Sequence, residues 1–160
     1  MSTWIAILYA LALLPYAVFF GISVFIFMAP CYDKLSGRAF VEYFQAIDPY
    51  MRVRAPVVGQ LKLGLTLLLL VLQFREWDRP AFALTCFALL ASLASAVIAV
   101  RGNVPLNRRM ERWAAESPPA EWAEVRRAWL RFHDWRGIAE IAAFLALLIA
   151  AMLPPTGVEP

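Results

Sequence analysis

The chain has 160 residues, 62% of them hydrophobic, and a formal net charge of +3. A water-soluble domain carries about 45–50% apolar residues, so the composition excludes an ordinary soluble fold. The small positive charge sits in loops of an otherwise apolar chain, which is not a nucleic-acid-binding signature.

Four apolar runs account for the excess: 4–29, 55–74, 81–100 and 137–153. Each approaches or exceeds the roughly 17–20 residues that cross a bilayer core as a helix. The expected fold is all-α: one integral membrane domain over 1–160, a four-transmembrane-helix bundle with amphipathic interfacial helices in its two long loops. A cleaved secretory signal is the lesser reading of the first run. No basic segment precedes it, and no small-x-small site follows Met28.

The first run contains Pro15 and Gly21 and ends at Pro30. In the loop that follows, Phe40, Tyr43, Phe44 and Ile47 recur at helical spacing among polar residues. They predict an amphipathic helix lying at the membrane interface, ended by Asp48-Pro49. The second run opens near Pro56 and carries Gln60 and Lys62. The third places Ala88, Ser92, Ser95, Ala96 and Ala99 at close to four-residue spacing, the small residues that let helices approach in lipid. Beyond it, Pro105 opens a short helix expected to reach about Ala115. Ser117-Pro118-Pro119 then reads as a break and a new N-cap. From Pro119 to Pro154 only Gly137 interrupts the helical pattern, so one long helix is expected, with its second half as the fourth span.

Alternating spans put twelve basic residues in the two long loops and only Arg75 and Arg79 on the opposite side. The positive-inside rule then makes both long loops cytoplasmic and both termini external, in the cytoplasmic (inner) membrane. Trp4 and Trp77 fit one aromatic belt, and Trp113, Trp122, Trp129 and Trp135 fall in the other half. Cys31 and Cys86 belong to opposite faces and imply no disulfide.

Trp129, His133, Arg136 and Glu140 are spaced by four, three and four. On a helix they form one stripe, entering the fourth span. A charge facing lipid costs about 2.5–3.5 kcal/mol on insertion scales, so Glu140 and Lys62 are expected to turn inward and pair. The pair either fixes two helices together or belongs to an occluded polar site. Asn103 and Asn107 flank Pro105 where the third span exits; each could cap a helix or aim an amide into the bundle mouth. With Gln60 at a similar depth, these residues suggest a pocket bounded by His133, Arg136 and Asn107, suited to a flat, oxygenated, apolar molecule. A single histidine excludes any two-histidine metal site within one chain. A haem would have only His133 as its imidazole ligand. No phosphate loop or dinucleotide fingerprint is present.

GNVPLN (102–107), a Trp-rich stretch and WLRFHDWR (129–136) leading into a last apolar helix resemble the anthrone oxygenase family. So do Gly21, Ser23, Pro30, Phe40, Phe44-Gln45 and Pro56. The resemblance spans nearly the whole chain. It implies a membrane oxidoreductase acting without cofactor on a small aromatic or quinone-like substrate and O2. In that reading His133 is the general base that removes a CH2 proton, since an unperturbed imidazole titrates near neutrality. Arg136, Asn103 and Asn107 stabilise the oxyanion. Trp129 stacks on the ring, and Gln60, Lys62 and Glu140 complete or tune the pocket. Two alternatives stand beside it: a non-catalytic scaffold or transporter-like subunit with a structural Lys62–Glu140 pair, and a metal- or haem-dependent enzyme.

Overall fold

A computed structural model describes residues 3–153. All regular structure in that range is helical: α1 (Thr3–Met28), α2 (Gly37–Gln73), α3 (Pro80–Ile98), α4 (Val104–Met110) and α5 (Trp122–Met152). A π-helical segment, Ala99–Asn103, joins α3 to α4. Four helices are long and apolar enough to cross a membrane, so the protein is an integral membrane helical bundle. Pro154, expected to end the last helix, lies outside the described residues. Leu153 before it is extended (φ −67°, ψ 136°), the conformation a following proline favours.

The bundle exposes apolar side chains, and its interior sets polar groups among apolar ones. Leu68, Val71, Leu90, Val97 and Ile149 are exposed, as suits a hydrocarbon solvent. The interior holds Tyr9, Tyr16, Thr66, Thr85, Ser92 and Ser95, all nearly inaccessible. Lipid gives helices no hydrophobic reason to associate, so small residues and interhelical hydrogen bonds do that work. The closest partnership is α3 with α5, where Ala88, Ser92 and Ser95 face a helix whose Ala143, Ala146 and Ala150 are buried. The hydrogen bonds form layers. The Tyr9 hydroxyl donates to Gln73 Oε1 (3.2 Å) and lies 3.0 Å from Thr85 Oγ1. Deeper in, the Tyr16 hydroxyl meets Thr66 Oγ1 at 3.0 Å and accepts from Ser92 Oγ at 3.1 Å. Gly137 does not break α5. It is a point of close approach, where an added Cβ would lie 2.9 Å from the Phe27 ring and 3.3 Å from Ser23 Cβ.

Three sequence expectations are corrected. Asp48-Pro49 does not end a helix: α2 runs through both Pro49 and Pro56, so the supposed interfacial helix and the second span are one rod. A proline costs a helix one backbone donor and a clash. Here contacts on both sides of Pro49 offset that cost. Gln45 Nε2 donates to the carbonyls of Met110 (3.3 Å) and Trp113 (2.8 Å). Arg52 bridges Asp48 and Glu111. Second, the apolar stripe of that segment is divided between protein and its surroundings. Phe40 and Phe44 are buried with Met110, Val125 and Trp129, leaving only Tyr43 and Ile47 exposed. Third, α4 stops at Met110, short of Ala115. Its terminal carbonyls are met by Gln45, and α5 starts at Trp122 after Glu121 rather than from a Ser117 cap.

Candidate functional site

The α5 stripe faces the bundle in two tiers. The deeper tier is Lys62, Glu140 and Ser95. Lys62 Nζ lies 2.5 Å from Glu140 Oε2, and Ser95 Oγ donates to Glu140 Oε1 at 2.7 Å. Lys62 is 3% exposed and Glu140 4%. The ammonium also sits over the rings of Phe19 (4.6 Å) and Tyr16 (5.0 Å). Both carboxylate oxygens are engaged and the cation is paired and covered by rings, so this tier joins α1, α2, α3 and α5 at one depth.

The upper tier is built by the π-helical segment. Its extra residue per turn re-aims the chain, a local geometry that recurs at functional sites, and it is followed directly by α4. Gly102 permits it: a Cβ there would fall 2.5 Å from the Phe132 ring of α5. Asn103 is thereby buried, 3% exposed. Its Nδ2 lies 2.7 Å from His133 Nδ1 and donates to the Trp129 carbonyl at 3.1 Å. Its Oδ1 accepts from Arg136 Nη1 at 3.4 Å. One turn on, Asn107 Oδ1 accepts from Trp129 Nε1 (2.8 Å), and Asn107 Nδ2 donates to Asp48 Oδ1 (3.0 Å). The tier is therefore continuous: Arg136, Asn103, His133, Trp129, Asn107, Asp48, Arg52.

This arrangement reassigns several residues. Trp129 is buried with its surroundings filled. His133 lies against it (3.9 Å between centroids), and Tyr32, Phe40 and Phe44 meet it at 6.0, 6.0 and 6.4 Å in edge contacts. It is a wall of the protein, not a free stacking surface. Tyr32 stays a neutral phenol, because burial and then its hydrogen bond with Tyr43 push it up from its ordinary range. The Asn103 amide spends both N–H groups on protein partners, whereas Asn107 commits one N–H to Asp48 and its carbonyl to Trp129. Gln60 does not join the site: it is exposed. It lies two positions from Lys62, roughly 200° around a helix, so one inward residue puts the other outward. Arg136 differs from all of these. It takes part in none of the ion pairs of the described residues, and its buried Nε has no hydrogen-bond partner.

Asp48 is the participant that sequence reading missed, taken there as a helix stop. Its spacing of four from both Phe44 and Arg52 was the signal, once the helix is allowed to continue. Two depressions flank the tier. One, ≈ 340 Å³, is lined by Phe44, Gln45, Asp48, Arg52, Glu111 and Trp113. The other, ≈ 350 Å³, is lined by Val97, Ile98, Arg101, Gly102, Phe132 and Trp135. Neither reaches His133 or Arg136, so the expected pocket bounded by His133, Arg136 and Asn107 is neither of these. Among the described residues no three His, Cys, Asp or Glu side chains converge as a metal site would require. Cys31 and Cys86 are free.

Residues 49–146, well over half of the chain, match the anthrone oxygenase family. The protein belongs to that family. No curated protein and no solved structure matches the chain. The matched span covers every polar residue of both tiers except Asp48 and runs from Pro49 to Ala146.

Proposed function

We propose that this member of the anthrone oxygenase family is a cofactor-independent membrane oxidoreductase that oxidises a phenolic aromatic CH2 compound with O2. The observation that carries the reading is Arg136. Among the described residues its guanidinium forms no ion pair and its Nε has no hydrogen-bond partner, and such a group beside the only imidazole of the chain suits an oxygen that becomes negative during reaction. Its place on the stripe, one turn above Glu140, matches an apolar substrate entering from the headgroup region.

The chemistry balances without a bound redox group. Loss of one CH2 proton to base leaves a carbanion delocalised onto the ring oxygen. That anion passes one electron to O2, and the radical and superoxide combine at carbon. Protonation gives a hydroperoxide. Loss of the second C–H proton then breaks the O–O bond, releasing water and leaving C=O. In sum CH2 and O2 become C=O and H2O. His133 and Arg136 act together at the oxygen end, where the charge settles. The loop charges favour an orientation with both long loops cytoplasmic and both termini outside.

A second reading, a non-catalytic membrane scaffold, is favoured by the inward use of Asn103, Asn107 and Trp129. One experiment separates the two. Purified protein in lipid nanodiscs, given a model anthrone, is expected to accelerate O2 uptake, and Arg136→Ala and His133→Ala to abolish the acceleration. No acceleration by the native protein supports the scaffold. Acceleration that survives both substitutions removes these residues from the chemistry.

A further inference from the structure

Asn103 carries more information than a helix cap. Its amide nitrogen has two hydrogens and two partners: the Trp129 carbonyl at 3.1 Å and His133 Nδ1 at 2.7 Å. Turning the amide over is disfavoured from both ends. It would set Oδ1 against the Trp129 carbonyl oxygen and set Nδ2 against the Arg136 guanidinium, acceptor facing acceptor and donor facing donor. With Nδ2 in place, His133 Nδ1 meets a donor at short range and must offer its lone pair. The neutral imidazole then carries its proton on Nε2.

We infer that Asn103 is a positioning residue that fixes His133 as the Nε2–H tautomer, so that the ring presents a hydrogen-bond donor rather than a basic lone pair away from α5. The inference deepens the proposed function and depends on it only for the catalytic consequence. His133 and Arg136 form a pair of donors for the substrate oxygen, and the carbon-bound proton leaves to a solvent base at the bundle mouth. This replaces the expectation that His133 is the general base. The other tautomer has a ready partner, since Nδ1–H could donate to the Trp129 carbonyl at 3.1 Å. Asn103 is what selects between them.

The chain has one histidine, so a histidine-labelled sample reports this ring alone. Nitrogen-15 NMR of the full-length protein in nanodiscs near neutral pH is expected to show a bare Nδ1 and a protonated Nε2. A protonated Nδ1 in the native protein overturns the inference, whether or not the protein oxidises anything. Asn103→Asp replaces the donor by an acceptor and is expected to move the proton onto Nδ1. If the activity is present, the same variant is expected to lower O2 uptake by about 10²-fold, as loss of an oxyanion donor does. Nδ1 remaining bare in Asn103→Asp would also overturn it, as would a faster reaction in that variant, because a freed Nε2 lone pair would then be the better catalyst.

Discussion

Removing one partner of the Lys62–Glu140 pair leaves a single charge with 3–4% exposure in a bundle that lipid surrounds. Glu140→Met removes the carboxylate and strands the ammonium. Lys62→Met strands the carboxylate, which keeps only Ser95. Breaking a buried pair this way costs about 3–5 kcal/mol, so the two single changes sum to roughly 6–10 kcal/mol if they act independently. The double change Lys62→Met/Glu140→Met leaves no charge behind. Its local cost is about 1 kcal/mol for the Ser95 hydroxyl, because Ser95 can turn back to its own helix. Reversible unfolding in mixed micelles, followed by helical circular dichroism, is expected to place the double variant nearer to the native protein than to either single variant. That corresponds to a coupling of about 5 kcal/mol or more, large against the 0.5–3 kcal/mol of most interacting neighbours. Additive losses would refute the reasoning, as would singles that cost less than about 1 kcal/mol.

Gly102→Ala places a Cβ 2.5 Å from the Phe132 ring and is expected to cost about 1–3 kcal/mol as an overpacking change. In the same unfolding assay, Phe132→Leu should recover part of that loss, and the absence of recovery would count against the contact. In cells, a membrane-impermeant thiol reagent is expected to leave the exposed Cys31 unmodified in a Cys86→Ala background. In inverted vesicles it is expected to modify it; labelling from outside would reverse the proposed orientation.

The stripe on α5 was legible because helical phase is a strong rule and because lipid makes the alternative costly: a Glu and a Lys in apolar runs must find each other. The spans were legible for the same reason. What the sequence hid is where long-range contacts overrule local preference. Asp48-Pro49 is a good stop signal, and only Gln45, Asp48 and Arg52 holding residues more than 55 positions away carry the helix through it. The π-helical turn has no pattern of its own before Phe132 is known to lie on Gly102. The donors of Asn103 looked available until the Trp129 carbonyl and His133 were in place. Gln60 was judged by depth alone, where phase relative to Lys62 would have turned it outward.

The unbroken α2 has a mechanical consequence. Lys62 is fixed inside the bundle, and Phe44 lies 18 residues earlier on the same rod, about 27 Å away at 1.5 Å per residue. A spanning helix answers a change of bilayer thickness by tilting. A tilt of about 10° pivoting near Lys62 would carry the far end by about 5 Å over that length, and with it Gln45 and Asp48. A change of membrane thickness would then reach Asp48, which holds Asn107, and the bilayer would act as a dial on the polar tier as well as its solvent.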